Sequence, residues 1–235
     1  MLKGFALKPP FFEIGPKSYL FGDEVLELAL AADAASKKYD VDIIFTTPVV
    51  DIRRVAEATE RIFVFAPHMD PIRPGRGLAD TLPESLAAAG AKGVMLNHCE
   101  KPLSLTALAQ TIRRADEVGL ATIVCTDTTA ESAAVAHLRP NIIVAEPTEL
   151  IGTGKTSDLD YVNAAIRAVK QIDPEILVLQ GAGISCGEDV YRVIHAGAEA
   201  TGSSSGVVKA KDRAAMVDAM IGAVRRAWDD RLAGR

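Results

Sequence analysis

The chain has 235 residues, of which 49% are hydrophobic, and its 26 basic and 31 acidic residues give a formal net charge of −5. That length and hydrophobic content suit a single large α/β domain, and we expect residues 1–235 to form it. Because both signs of charge are spread along the sequence, no basic stripe favours nucleic acid or an anionic membrane, and a small molecule is the expected partner.

The cysteine content indicates where the protein works. Cys99, Cys125 and Cys186 lie far apart and form no CxxC pair. This usage is typical of a reduced protein, not of a secreted domain built on disulfides. No apolar signal core follows the first residues, and no apolar run approaches the roughly 18 residues that span a bilayer. We therefore expect a cytoplasmic protein.

Short apolar runs alternate with helical patterns along the chain, which favours a parallel sheet built from strand–helix–strand units. The pattern predicts eight strands, the number that closes a (β/α)8 barrel. An open doubly wound sheet is the alternative, but no G-x-G-x-x-G follows the first predicted strand, and Lys8-Pro9-Pro10 cannot make that phosphate turn. The predicted strands are 4–7, 42–46, 62–66, 93–97, 121–125, 142–145, 176–180 and 200–203.

Polar residues at the ends of these strands predict the chemistry, because the carboxyl ends of barrel strands form the active site. Lys8 follows the first strand, His98 the fourth and Glu146 the sixth. Proton abstraction next to a carbonyl needs a base, an electrophile and a fixed positive charge. Glu146, His98 and Lys8 fit these roles in that order. Each alone could instead be a loop carboxylate, a core histidine or a solvated charge, so the prediction depends on their shared position.

Two turns rich in glycine and serine, 181–183 and 203–206, follow the last two predicted strands. Their backbone N–H groups could hold a phosphate, so the predicted substrate is a small phosphorylated sugar. A metal site made by His68 and Asp70 with His98 is the alternative considered, but the spacing matches no recognised ligand pattern. The sequence therefore predicts neither a metal nor an organic cofactor.

Several segments together carry a resemblance to a known family. The chain resembles the triosephosphate isomerases, and in particular their short archaeal-type branch, over nearly its whole length. The matching segments are Phe5-Ala6-Leu7-Lys8, Leu96-Asn97-His98-Cys99-Glu100, 146–154, 181–185, 187–190 and 205–212.

The resemblance implies a TIM barrel that interconverts dihydroxyacetone phosphate and glyceraldehyde 3-phosphate. In the roles known for that family, Glu146 would shuttle the proton and neutral His98 would polarise the carbonyl. Lys8 would stabilise the charged intermediate, and Glu100 would orient Lys8.

The resemblance also implies a mobile lid over residues 147–154 and an assembly of two or four identical chains. The residues that it implies for the substrate phosphate are Ile151, Gly152, Gly183, Ser204 and Ser205.

Two departures from the family pattern leave alternatives open. The family commonly has Asn two residues before the lysine of strand one and Ser after the catalytic histidine, where this chain has Ala6 and Cys99. The room left by Ala6 favours a related isomerase of another small phosphorylated ketose, such as a tetrulose phosphate. A barrel that binds a sugar phosphate without catalysis is the third hypothesis.

Overall fold

Eight buried strands close into a barrel in which every neighbouring pair is parallel and β8 pairs with β1. The computed structural model describes residues 1–150, 159–181 and 183–235. The strands are β1 Phe11–Ile14, β2 Asp42–Thr46, β3 Phe63–Ala66, β4 Gly93–Leu96, β5 Ala121–Thr126, β6 Ile142–Ala145, β7 Leu177–Gln180 and β8 Ala200–Ser203.

Helices pack around the barrel between the strands, as the alternating pattern predicts. Side chains of Ser104, Thr128 and Asp212 each accept a hydrogen bond from a backbone N–H three residues later, which caps α4, α5 and α9. The helices are α1 Asp23–Tyr39, α2 Ile52–Ala58, α3 Pro83–Ala88, α4 Leu105–Val118, α5 Thr129–Ala136, α6 Leu159–Lys170, α7 Gly187–His195, α8 Ser205–Val208 and α9 Arg213–Leu232.

Alternating residues along the strands separate two apolar clusters. In β1, Phe11 belongs to the cluster inside the barrel, whereas Phe12 and Ile14 belong to the cluster between barrel and helices. Successive side chains of a strand point to opposite faces, so Glu13 falls on the inner face with Phe11. The alternation of side chains along β1 therefore places the Glu13 carboxyl group inside the barrel.

The predicted first strand, 4–7, is wrong, because the amino-terminal segment closes the bottom of the barrel and β1 begins only at Phe11. Phe5 packs edge-on against Phe63, with ring centroids 5.4 Å apart, and Leu7 joins the inner apolar cluster. The backbone N–H of Lys8 donates to Oδ2 of Asp42 at the start of β2, over 3.0 Å. This segment therefore lies at the amino ends of the strands.

The other predicted strands are confirmed. Strands 42–46, 142–145 and 200–203 have their predicted bounds, and the remaining four differ by one residue at one end. Among the described residues, none of the helices combines the length and the apolarity that a membrane crossing requires.

Candidate active site

A cavity of about 1150 Å³ opens at the carboxyl ends of the strands. This is the end at which barrel enzymes carry their active sites. Its lining includes chemically active side chains that follow different strands, and two glycine- and serine-rich turns. The residues that matter most for the chemistry are Glu13, Lys17, His98, Glu100, Glu146, Gly183, Ser204 and Ser205.

Lys17 supplies positive charge to the cavity, whose lining also includes Lys101. It follows β1 after Gly15-Pro16, and its backbone φ of 49° lies in the left-handed region. Its Nζ lies 3.2 Å from Oε1 of Glu100, whose side chain is 64% exposed. An ion pair this exposed contributes only about 0–1 kcal/mol to stability, so its consequence is to hold the ammonium group at the mouth.

The prediction that Lys8 fills this role is wrong. Lys8 and Ala6 are exposed, precede β1 and lie at the other end of the barrel, so neither lines the cavity. The implied contact between Glu100 and Lys8 is corrected in the same way, because the partner of Glu100 is Lys17. The residue two positions before the lysine that lines the cavity after β1 is therefore Gly15, not Ala6.

His98 lies at the end of β4, and its side chain is only 13% exposed. The backbone N–H of Glu100 donates a hydrogen bond to its Nδ1 over 3.1 Å. A ring nitrogen that accepts a hydrogen bond carries no proton, so the neutral ring is protonated at Nε2. Burial, and then the positive charge of Lys17, lowers the pKa of His98 below its usual 6.5. The imidazole is therefore neutral at physiological pH and retains one N–H donor.

Asn97 fixes the loop that carries this histidine. Its φ of 58° is left-handed, a conformation that asparagine tolerates better than most residues. Its Nδ2 donates to the carbonyl of Cys125 over 3.0 Å, and its Oδ1 accepts from the N–H of Leu103 over 2.9 Å. The two bonds tie the start and the end of the loop to the barrel, which positions the His98 ring.

Glu146 follows β6 directly, and its backbone N–H donates to the carbonyl of Thr126 over 3.0 Å. Its side chain packs over Gly181 at the end of β7. A Cβ atom at position 181 would lie 2.9 Å from the Cβ of Glu146, closer than real Cβ contacts. Glycine is therefore needed at 181 for the carboxylate to occupy this part of the cavity.

The two predicted phosphate turns meet beside the carboxylate. A Cβ atom at Gly206 would lie 2.6 Å from the carbonyl oxygen of Ile184, so glycine allows the turns after β7 and β8 to pack together. Ser204 Oγ donates to the carbonyl of Gly15 over 2.5 Å, which ties the last turn to the loop after β1. Ser205 opens α8, and the first N–H groups of a helix have no partner within it. The turns can therefore offer amide donors to an anion.

Of the predicted phosphate residues, Gly183, Ser204 and Ser205 line the cavity. Gly183 has a φ of 74°, a conformation that glycine adopts without strain. Ile151 and Gly152 lie outside the described residues, as does the second half of the predicted lid, residues 151–154.

His68 also lines the cavity, on the side formed by β2 and β3. Its Nε2 lies 3.2 Å from Oδ1 of Asp70, whose other oxygen accepts the N–H of Thr81 over 2.7 Å. Among the described residues, no His, Cys, Asp or Glu side chains gather in threes around a point where a metal ion could sit.

Cys99 places its Sγ 3.7 Å from Nδ1 of His98. Burial raises the pKa of the Cys99 thiol above its usual 9.0, so the group stays a neutral thiol near pH 7. This makes it a poor nucleophile, because the thiolate is the reactive form.

Sequence reasoning missed two residues of the site, Lys17 and Glu13. Glu13 lies in β1, where its Oε1 is inaccessible and the Thr46 hydroxyl is the neighbouring hydrogen-bond donor. Burial raises the pKa of Glu13 to about 7, Glu146 adds to the effect, and Thr46 and Lys17 oppose it. The signal was a single carboxylate inside the apolar run Phe11-Phe12-Glu13-Ile14, which is costly to bury without a function.

Comparison with known proteins decides the family. The family model described as triosephosphate isomerase matches residues 17–220, most of the chain. The chain belongs to the triosephosphate isomerase family. The match begins at Lys17, so Lys8 falls outside it.

Relatives of the triosephosphate isomerase family align with nearly the whole chain. The triosephosphate isomerase of Sulfolobus acidocaldarius is 35% identical over 229 residues, covering 96% of this chain and 99% of the relative. That of Methanocaldococcus jannaschii is 41% identical over 194 residues, covering 81% and 88%. These relatives confirm the archaeal-type resemblance.

The solved triosephosphate isomerase of Bartonella henselae matches with a TM-score of 0.75 at 16% identity, over 94% of this chain and 100% of that one. Together with the strand order, it confirms the TIM-barrel fold.

Proposed function

We propose that this protein is an isomerase that interconverts dihydroxyacetone phosphate and glyceraldehyde 3-phosphate. The observation that carries the proposal is the convergence of Glu146, His98 and Lys17 on one cavity at the carboxyl ends of the strands. Sequence reasoning required a base, an electrophile and a fixed charge. The corrected first strand supplies the charge from Lys17.

The proton moves through Glu146. Its carboxylate takes the proton from the carbon next to the carbonyl, and the electron pair of that C–H bond forms the carbon–carbon double bond of an enediolate. Returning the proton to the neighbouring carbon, while the hydroxyl proton moves to the oxygen that was the carbonyl oxygen, gives the other isomer. No atom is gained or lost, so the reaction needs no oxidant or second substrate.

His98 and Lys17 stabilise the charge that develops on oxygen. The Nε2–H of neutral His98 donates a hydrogen bond to the carbonyl oxygen as it becomes negative, and the Lys17 ammonium group adds a fixed positive charge. Because both groups are held before the reaction by the contacts with Glu100, little reorganisation is needed in the transition state.

The phosphate would bind where the turns after β7 and β8 meet, at Gly183, Ser204 and Ser205, with Ile151 and Gly152 added from the loop after β6. This places the reacting carbons toward Glu146 and His98. We infer in addition that residues 1–235 act as one cytoplasmic domain without metal or organic cofactor, and that the chain assembles as a homodimer or homotetramer.

The test is conversion of dihydroxyacetone phosphate, coupled to a dehydrogenase that consumes the product. Glu146→Gln removes the base and keeps the side-chain size, and it should lower kcat by about 10²–10⁴-fold. Glu175→Gln is the matched control, because Glu175 is an exposed carboxylate that precedes β7 and does not line the cavity. It should leave kcat unchanged. Wild-type turnover that survives Glu146→Gln would contradict the assignment of the base.

A second candidate is an isomerase of a longer phosphorylated ketose, such as a tetrulose phosphate. The earlier reason, the room left by Ala6, is wrong because Ala6 lies outside the cavity. The observation that now favours this candidate is the cavity of about 1150 Å³, which is just above the usual range of about 300–1,000 Å³ for small-molecule sites and has Gly15, a residue without a side chain, in its lining. Comparing kcat/KM for triose and tetrulose phosphates separates the candidates, and efficient use of the triose alone would exclude the second.

Activity lost on Glu146→Gln would also exclude the third hypothesis, a barrel that only binds a sugar phosphate. A binding protein needs the phosphate turns but gains nothing from a base aimed at carbon. If the folded wild-type protein turned over neither sugar, the binding hypothesis would replace both enzymatic candidates.

A further inference from the structure

Glu13 lies on the floor of the cavity, where the proposed mechanism does not use it. It is on the inner face of β1, two residues beyond the buried Phe11, and it lines the same cavity as His98 and Glu146. The residue retains a partly accessible surface although it lies deep in the barrel. A carboxyl group in this position is within the space that a bound carbon chain enters.

One oxygen of the Glu13 carboxyl group is enclosed by the protein and the other is not. Oε1 is inaccessible, and the hydroxyl of Thr46, which also lines the cavity, lies close enough to lower the pKa of Glu13 as a hydrogen-bond donor. Oε2 is not among the inaccessible atoms that lack a partner, so it is the oxygen that a ligand in the cavity can reach.

Two glycines leave room around this carboxyl group. A Cβ atom at Gly15 would lie 3.1 Å from Oε1 of Glu13, and one at Gly202 would lie 3.2 Å from Oε2. Both distances are shorter than ordinary van der Waals contact. A side chain at either position would press on Glu13, so the absence of side chains there keeps the carboxyl group in its place beside the cavity.

The charged and titratable groups that face Glu13 are Lys17 after β1, Cys125 in β5 and Glu146 after β6. Burial is the largest influence on the pKa of Glu13, and the negative charge of Glu146 acts in the same direction, whereas Thr46 and Lys17 act against it. The resulting pKa of Glu13, about 7, keeps a large share of the group in the acid form near neutrality. An un-ionised carboxyl group has an O–H donor as well as an acceptor.

We propose that Glu13 contacts the substrate, its un-ionised carboxyl group donating a hydrogen bond to a hydroxyl or carbonyl oxygen of the bound carbon chain. Oε2, which is not among the inaccessible atoms, makes this contact. The neutral carboxyl group of Glu13 is a hydrogen-bond donor close to the negative Glu146. An ionised Glu13 and Glu146 would instead repel each other. The inference rests on the proposed isomerase function.

The experiment compares two variants of matched length with the wild type, using dihydroxyacetone phosphate as the substrate from pH 6 to pH 9. Glu13→Gln keeps a neutral hydrogen-bond donor, whereas Glu13→Met keeps the size and removes the donor. We expect Gln to retain kcat/KM within about threefold at pH 6.5 and Met to lose at least tenfold. We also expect the wild-type kcat/KM to fall above neutrality and the Gln variant to lack that fall.

Two results would overturn the proposal. If Met matched Gln in an active enzyme, Glu13 would only fill space, and if Gln lost activity as Glu146→Gln does, Glu13 would act as an ionised carboxylate. The proposed function is tested separately, because it fails if the wild-type protein does not turn over dihydroxyacetone phosphate. Urea unfolding of each variant at pH 6.5 separates a lost contact from a lost fold. A folded Met variant with wild-type kcat/KM would count against the contact.

Discussion

The backbone N–H of Glu100 donates a hydrogen bond to Nδ1 of His98 over 3.1 Å. Nδ1 can accept this hydrogen bond only when it carries no proton, so the proton of the neutral ring is on Nε2. The same short loop therefore positions the imidazole through the backbone of Glu100 and the ammonium group of Lys17 through its side chain, over 3.2 Å.

The first prediction concerns the protonation of His98. Burial and the nearby Lys17 lower its pKa, so the ring should remain neutral below its ordinary pKa of 6.5. ¹⁵N NMR at pH 6.5 should show Nε2 protonated and Nδ1 unprotonated, with His98→Gln used to assign the signals. A titration midpoint above 6.5 would contradict the electrophile that the mechanism requires.

A second prediction follows from Glu13 and concerns stability. Its carboxyl group ionises near pH 4.5 in the unfolded chain but only near pH 7 in the fold, so the folded form binds the extra proton between these values. The free energy of unfolding therefore falls as the pH rises from about 4.5 to about 7, and then levels off. At about 1.4 kcal/mol per pKa unit, the loss is about 3 kcal/mol.

Urea unfolding measures this effect. Because Glu13→Gln cannot ionise, its stability relative to the wild type should increase by about 3 kcal/mol between pH 4.5 and pH 8. A difference that stays constant across this range would show that Glu13 does not titrate with a raised pKa.

The third prediction concerns Gly206, where the turns after β7 and β8 meet. In Gly206→Ala the new Cβ would lie 2.6 Å from the carbonyl oxygen of Ile184 and 2.7 Å from Oγ of Ser203, so the turns must separate. We expect KM to rise at least tenfold and stability to fall by about 1–3 kcal/mol.

Gly4→Ala is the control for that substitution. Gly4 has a positive φ, 76°, but no atom lies within 4 Å of its Cβ position, and it belongs to the segment at the opposite end of the barrel. It should cost about 1–2 kcal/mol through backbone strain and leave KM unchanged. Equal changes in KM for both variants would mean that the phosphate binds elsewhere.

The fourth prediction is that a chelator leaves the reaction unaffected. The Lys17 ammonium group already provides the positive charge beside His98, whose pKa it lowers, and it would repel a cation at the same place. Dialysis against EDTA should therefore not change kcat or KM, and the rate should not respond to added Mg²⁺. A loss of activity restored by a metal ion would show that His68 and Asp70, or residues not described here, bind one.

Most of the fold could be predicted because each strand from β2 to β7 is a short, mostly apolar run followed by a polar residue, a proline or a glycine. Strand β1 could not, because Glu13 interrupts its apolar run and made the segment resemble a loop. The segment 4–7 looked more apolar, but its role is to close the barrel with Phe5 and Leu7.

The same error explains what was missed in the site. His98 and Glu146 follow well-predicted strands, so position alone brought them to the cavity. Lys17 follows β1, the strand that the sequence pattern misplaced, so it was missed. Lys8 was predicted in its place because it follows the apolar segment 4–7. The raised pKa of Glu13 depends on tertiary packing, and no sequence pattern records it.

The most direct test of the central claim compares the two lysines. Lys17→Met and Lys8→Met remove the same charge and keep similar length, one at the cavity and one at the amino end of the barrel. With dihydroxyacetone phosphate in the coupled assay, Lys17→Met should lower kcat/KM about 10²-fold or more, the range for loss of one group that stabilises a developing oxyanion. Lys8→Met should leave kcat/KM within twofold of the wild-type value, and the wild type itself should turn over rapidly. Loss of activity in Lys8→Met with an active Lys17→Met would contradict the account.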